Sequence, residues 1–251
     1  MSKLPLVSII TVVYNGAKTL EQTILSVLNQ TYKNIEYIII DGESTDGTLD
    51  IIEMYRDKIS TCISEPDEGL YDAMNKGVSI ANGELIGIIN SDDWFEKNAV
   101  ELVVSSYVNN LNKKVFHADR YDVYPDDTKI KYPFNPSKAK FLYYAMTYNH
   151  ASMFFHRDIY KNYKYNPEFK VFSDYEMVLK IFLNNPEYFE YINQTYVNYR
   201  IDGISANQSL KLNLNEGSKA RLNAGLNYFS VIIYVFLTVS KFITSKLKLR
   251  F

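Results

Sequence analysis

The sequence predicts an α/β fold, a mostly parallel sheet flanked by helices with a helical C-terminal extension. Three observations carry this reading. Short β-branched runs alternate with helix-periodic stretches through the first half of the chain, the runs are too apolar to have a solvated face, and each is closed by a polar turn cluster.

Val7 to Tyr14 is the first such run, ended by Asn15-Gly16, and Leu20, Ile24, Val27 and Leu28 then recur at helical spacing. Ile35 to Ile40 stops at Asp41-Gly42 and is followed by a helix-like stretch from Thr48 to Tyr55, so the βα unit repeats. Ile59 to Ser64 reads as a third strand, Tyr71 to Ile80 as a helix, and Leu85 to Ile89 as a fourth strand covered on both faces. A helix from Glu96 to Asn109 leads into an extended segment at Lys114 to His117. Beyond it the pattern loosens into Tyr-rich, Pro-punctuated segments. Phe172 to Leu183 is helical, Tyr188 to Tyr199 extended, and Gln208 onward helical again. Residues 1–110 thus form a ligand-binding part and 111–205 a second part of one catalytic domain, with 206–251 as the extension.

A chain of 251 residues, roughly half of them apolar, buries a core of this size. With net charge −2 and interspersed charges, it has no electrostatic footprint for nucleic acid. A single cysteine, Cys62, excludes an internal disulfide framework and fits a reducing compartment. Met1 to Pro5 runs directly into the first strand without the basic and apolar regions of a secretory signal, so a cytoplasmic location is expected.

In an open α/β sheet, ligands bind beyond the carboxyl ends of the strands. Tyr14-Asn15-Gly16, the Asp41 to Thr48 turn and Asn90-Ser91-Asp92-Asp93 all fall there, so one site can use all three. Adjacent carboxylates beyond a buried strand repel unless a cation or strong donors stand beside them. Hard oxygen ligands of this kind suit Mg²⁺ or Mn²⁺. Taken alone, Ser91-Asp92-Asp93 reads equally as the N-cap of the following helix.

Four segments stand in the order and spacing of family 2 glycosyltransferases: Val7 to Asn15, Asp41-Gly42-Glu43-Ser44-Thr45-Asp46-Gly47-Thr48, Asp67 to Gly77, and Asn90 to Asp93. Gly69-Leu70-Tyr71-Asp72-Ala73-Met74-Asn75-Lys76-Gly77 is similar to bacterial members that build O-antigen, capsule or exopolysaccharide. The resemblance implies a GT-A fold and an inverting, metal-dependent transfer of a sugar from a nucleotide diphosphate, a UDP-sugar foremost, to a saccharide or polyprenyl-linked acceptor. It implies that Thr11, Tyr14 and Asn15 line the nucleotide pocket, that Asp41 binds the base with Asp46 close by, and that Asp72, Asn75 and Lys76 face the same rim. Ser91-Asp92-Asp93 corresponds to the family's Asp-x-Asp motif, with Asp93 as metal ligand and Asp92 on ribose or a metal-bound water.

By the same resemblance, Ser173-Asp174-Tyr175-Glu176 matches the motif whose second residue is the general base, which assigns that role to Asp174. Ser173 and Glu176 depart from the family's acids at those positions. His150 sits where relatives place a residue near acceptor or pyrophosphate, and Arg200 and Ser205 resemble the segment that closes over the donor. Trp94 is expected to pack under a helix, and Asp119, Asp122, Asp126 and Asp127 to form a solvated loop. Leu226 to Val239 is almost wholly apolar, yet its fourteen residues fall short of the roughly twenty that span a bilayer. With Lys241, Lys246, Lys248 and Arg250 after it, the segment reads as a helix that lies in a membrane interface, or that packs on the domain or on a second subunit of a homodimer. Rival readings are a nucleotidyltransferase, for which Tyr14-Asn15-Gly16-Ala17-Lys18 is a poor phosphate loop, and a catalytically idle donor-binding partner.

Overall fold

The computed structural model describes residues 4–201 and 208–248, the side chains of 245–248 excepted. Strands β1 (Val7–Val13), β2 (Ile35–Asp41), β3 (Thr61–Ser64) and β4 (Leu85–Asn90) pair in parallel in the order β3-β2-β1-β4. Helices α1 (Leu20–Leu28), α2 (Thr48–Met54) and α3 (Leu70–Ile80) make the crossovers. Side chains alternate along each strand, and in β1, β2 and β4 both sets are largely apolar and buried. Ile10, Val12, Ile38, Ile40, Ile86 and Ile88 join the core on the α3 side. Val7, Ile9, Val13, Ile39, Leu85 and Ile89 join the core under α1, where α4 (Ala99–Asn109) also packs.

The second half of the chain extends the sheet as a mixed array. Strand β8 (Phe154–His156) pairs antiparallel with β4 and with β6 (Val115–Val123), while β9 (Phe189–Arg200) runs parallel to β6. Strands β5 (Trp94–Phe95) and β7 (Lys129–Tyr132) pair antiparallel with β9 and β6. Helices α5 (Lys138–Tyr143) and α6 (Ser173–Asn184) cover the α3 face.

Two local expectations change. Asp119 and Asp122 lie on β6, not in a loop, because the outer half of that strand is polar yet still paired on both edges. Asp119 is buried and takes an ion pair from Lys131 at 2.8 Å, with donors from Phe134 N and Tyr191 Oη, both at 2.8 Å. Trp94 belongs to β5, and the Arg200 guanidinium lies 4.8 Å from its ring centre.

The extension forms α7 (Leu210–Asn223) and α8 (Tyr228–Lys248). Ser209 caps α7 through Leu212 N, and Gly225, at φ +94°, permits the turn between the helices. Tyr234 ties the pair together: its Oη donates to Asn213 O at 2.7 Å and its ring lies 3.7 Å from the guanidinium of Arg221, which is fully buried.

A buried imidazole gives the fold an acid limit. His117 packs edge-on against Phe134 and Tyr148, and burial pulls it down to about 3 against the opposing pull of Asp119. On acidification the unfolded state takes up this proton first, so the contribution is whole above about 6.5 and is lost toward about 3, at up to about 1.4 kcal/mol per pH unit. Urea midpoints measured across that window should fall less steeply in His117→Phe than in the parent; equal slopes would remove His117 from the account.

Candidate active site

The loop after β1 and the loop after β2 are laced to one another. Asn15, at φ 50°, receives Thr45 N on its Oδ1 at 2.9 Å and donates its own N to Ser44 Oγ at 2.7 Å. Gly16 N donates to Thr48 Oγ1 at 2.9 Å and Ala17 N to Asp46 Oδ2 at 3.1 Å. Asp46 also accepts Thr48 Oγ1 and Thr48 N, so it holds the start of α2, and the Thr48 hydroxyl foremost, with the backbone donors, keeps its carboxyl below the usual range. This lacing leaves the Tyr14 ring 67% exposed at the rim of a large cleft. Thr11 stands elsewhere: it is fully buried inside β1 and bonded to Tyr37 Oη at 3.0 Å, because its strand is covered on both faces.

Asp41 closes β2 from below the loop. Its Oδ2 accepts Ser44 N at 3.0 Å and Ser64 Oγ at 2.6 Å, while buried Oδ1 has no hydrogen-bond partner. A Cβ at Gly42 would meet Asp67 Oδ2 at 2.5 Å, so any larger residue there displaces the Asp67 carboxylate. Asp67, absent from the residues expected at the site, lines the cleft beside Tyr14.

The motif on α3 works mainly by holding backbone. Lys76 pairs with Glu65 at 3.0 Å and with Asp72 at 3.3 Å, and donates to Pro66 O at 2.7 Å, while Asp72 also accepts Glu68 N. These bonds pin the segment that carries Asp67. Asn75 clamps the Tyr165 backbone twice, through Nδ2 to the carbonyl at 2.7 Å and Oδ1 from the N–H at 3.2 Å. None of Asp72, Asn75 and Lys76 lines the cleft. They point away from it because the cleft face of α3 is taken by Leu70, Tyr71, Ala73 and Met74. Asn75→Ala leaves a buried N–H and carbonyl unpaired, which should cost about 1–3 kcal/mol and lower the melting temperature; an unchanged transition would show that the clamp has no weight.

At the end of β4, adjacent carboxylates part company. Asn90, Ser91 and Asp92 line the cleft, whereas Asp93 is 1% exposed and turned inward. Asp93 Oδ1 accepts Arg200 N at 3.0 Å. Burial, and then the charge of Asp92, push its carboxyl well above the usual range. The expected ligand residue therefore ties this turn to the end of β9, and the neighbour meets the cleft.

Asp174, in the first turn of α6, also lines the cleft. Its Oδ1 accepts Tyr175 N at 2.7 Å and Tyr71 Oη at 3.3 Å. Tyr71 stacks on Tyr165 with ring centres 5.9 Å apart, and Tyr165 Oη lies 3.0 Å from His150 Nε2. His150 lines the cleft; burial draws its pKa down, opposed by the charge of Asp174, which favours the neutral ring near pH 7. Glu176 is buried, paired with Lys180 on its own helix, and outside the cleft lining. The turn before α6 is held by Glu216 of α7, which accepts the backbone N–H groups of Lys170, Val171 and Phe172 at 2.9, 3.0 and 3.2 Å.

Arg200 is engaged with Trp94 and Gln22 Oε1, and its side chain is outside the cleft lining. Arg120 takes the basic place in the cleft wall, held by Asp122 at 2.7 Å between the rings of Tyr132 and Tyr199. Ser205 lies outside the described residues. Asp67, Tyr71, Asn90, Arg120, Tyr165 and Glu216 were given no individual role by the sequence; the first two sit inside the recognised Asp67 to Gly77 segment and Asn90 opens the recognised Asn90 to Asp93 segment, while the others carry no local signature.

The cleft, about 1130 Å³, brings Tyr14, Asp67, Asp92, Arg120, His150 and Asp174 together. One carboxylate beyond the parallel strands and another at the start of α6, lining the same cleft, permit a reaction in which one stabilises a leaving group and the other takes a proton. Among the described residues no group of three or more His, Cys, Asp or Glu side chains forms a closed metal cage.

Residues 8–166, more than half of the chain, match the family described as Glycosyl transferase family 2. Chondroitin synthase of Pasteurella multocida (strain Pm70) is 33% identical over 235 residues, covering 92% of this chain and 23% of that one. Chondroitin synthase of Escherichia coli is 31% identical over 216 residues, covering 84% and 31%. The chain thus spans less than a third of the length of these relatives. Among solved structures, S. aureus TarS 1-349 in complex with UDP-GlcNAc has a TM-score of 0.69 at 18% identity, covering 90% of this chain and 69% of that one. The mannosyltransferase PcManGT from Pyrobaculum calidifontis in complex with GDP-Man and Mn²⁺ has a TM-score of 0.61 at 14% identity, covering 89% and 64%. At such identities the structures speak for the fold, and the sequence match speaks for descent: with a GT-A fold and residues 8–166 in register, the chain belongs to glycosyl transferase family 2.

Proposed function

We propose that the chain transfers a sugar, with inversion, from a UDP-sugar to a saccharide or polyprenyl-linked acceptor in the synthesis of a cell-surface polysaccharide. The observation that carries this reading is that Asp92 and Asp174 line one cleft with Tyr14 and Asp67 at its rim. The chondroitin synthases and the UDP-GlcNAc complex among its relatives support the donor class and the kind of product.

The donor base lies against the exposed Tyr14 ring, near Asp67 and Gly42, where a side chain at residue 42 would intrude. The residues present fit a hard divalent cation, Mg²⁺ or Mn²⁺. Asp92 offers a carboxylate, Asn90 Oδ1 is buried without a hydrogen-bond partner beside it, and substrate phosphate and water would complete the shell. When bound, such an ion neutralises charge on the departing diphosphate. Asp93 keeps the turn in place through Arg200 N. Arg120 adds a fixed positive charge to the cleft wall.

Asp174 acts as general base. As the acceptor oxygen bonds to the anomeric carbon, the bond from that carbon to the diphosphate oxygen breaks and the hydroxyl proton passes to the Asp174 carboxylate. Tyr71 and Tyr175 N hold that carboxylate in its rotamer, and His150, kept neutral, can accept or donate one hydrogen bond to the acceptor. The test is release of UDP from a panel of UDP-sugars with Mn²⁺. Turnover that disappears on chelation and returns with metal is expected; nucleotide binding with no turnover on any sugar or acceptor would favour a catalytically idle partner.

A further inference from the structure

We propose that the outer face of α8 lies in the interface of an anionic lipid bilayer. Tyr228, Ile232, Phe236 and Ile243, with Phe229 at the border, fall on one stripe of the helix and are 52–75% exposed. The opposite side is taken by Ser230 and Tyr234, which are buried against the rest of the chain. A stripe this apolar and aromatic on a helix anchored from its other side at Ser230 and Tyr234 marks an interaction surface. No helix among the described residues is long and apolar enough to cross a membrane, so the fitting placement is in the plane of the interface.

Charge selects the occupant. From Gly217 to Phe251 the sequence holds six Lys or Arg and no Asp or Glu, although the whole chain has net charge −2. Three of the six, Lys246, Lys248 and Arg250, follow Ile243 in the sequence, and Lys241 stands two residues before it. A second copy's α8 has no acidic residue to offer them, whereas lipid phosphates do. Rings at the headgroup level and cations at the helix end are the arrangement such surfaces favour.

The face is also continuous with the cleft. A cavity of about 450 Å³ between α5 and α8 shares Ile233 and Leu237 with the helix and Tyr144 with the cleft, and Lys140 stands in its wall. On the glycosyltransfer reading, on which this step alone rests, a lipid-borne acceptor reaches Asp174 along that apolar wall without leaving the bilayer surface.

Flotation of the full chain with phosphatidylcholine vesicles, with and without phosphatidylglycerol, tests the docking independently of the reaction. Binding is expected only with phosphatidylglycerol, weakening as salt is raised. The Phe229→Ser, Ile232→Ser, Phe236→Ser triple variant and, separately, the Lys246→Gln, Lys248→Gln, Arg250→Gln triple variant should each weaken it about tenfold or more, with thermal transition and UDP-sugar hydrolysis retained. Absence of binding to anionic vesicles, or binding unaltered in both variants, overturns the proposal. So does a dimer in sedimentation equilibrium that the serine variant dissociates while vesicles are ignored. Hydrolysis without vesicle binding would sink the docking alone, and vesicle binding without hydrolysis on any donor would sink the reaction alone.

Discussion

Replacing Asp174 by Asn should lower the rate of sugar transfer by about 10²–10⁴-fold while leaving donor affinity near that of the parent. The substitution is conservative in shape. An Asn Oδ1 can still accept Tyr175 N and Tyr71 Oη, the two bonds that fix the present side chain, so the start of α6 should stay in place. What disappears is the capacity to take a proton from the acceptor hydroxyl. Donor titration by calorimetry and single-turnover transfer, measured side by side, separate the two properties. Full transfer activity in this variant would remove the base from Asp174, and loss of donor binding would show that the residue serves the other half of the reaction.

Asp92 and Asp93 should respond very differently to the same change. Asp92→Asn is expected to reduce metal-supported turnover by about 10²–10³-fold, the scale of removing one preorganised electrostatic contact to a developing charge. Asp93→Asn should keep most of the activity, since its buried Oδ1 has one identified partner, Arg200 N, and an amide oxygen can accept that bond. Mn²⁺ titration of donor hydrolysis reads both variants in one experiment. A severe loss in Asp93→Asn with a mild one in Asp92→Asn would restore the assignment expected from the sequence and contradict the geometry.

That pair also shows where legibility stops. The sequence makes the turn after β4 a site and supplies two carboxylates, yet which of two adjacent side chains faces the cleft depends on the turn and on what β9 brings behind it. Asp93 turns inward because Arg200 N, more than a hundred positions along the chain, meets it there. The α3 motif behaves similarly. Its spacing predicts a helix, and Leu70–Ile80 is one, but Asp72, Asn75 and Lys76 face the 65–68 segment and the Tyr165 backbone.

Legible elements are those with strong local pattern: the parallel strands β1, β2 and β4, whose two largely apolar sets are countable in the sequence, and the Ser173-Asp174 start of α6. Less legible are β6 beyond Ala118 and β7. The former has no period-two apolar signal, β7 alternates Lys with Ile130 and Tyr132 over only four exposed residues, and Asp119 resembles a loop acid until Lys131 and Tyr191 are placed around it. Glu216 illustrates the same limit for the site. Nothing in its neighbourhood on a polar helix marks it as the acceptor for three backbone N–H groups just before the residue we assign as the base.

The account stands or falls on two carboxylates of one cleft, Asp92 and Asp174, acting on one sugar. A crystal structure with an intact UDP-sugar and Mn²⁺, with anomalous data at the manganese edge, measures this directly. The cation peak should lie at the Asp92 carboxylate with the diphosphate beside it, and the face of the anomeric carbon away from the diphosphate should be open to Asp174. A cation bound elsewhere, or a sugar whose open face points away from Asp174, would contradict it.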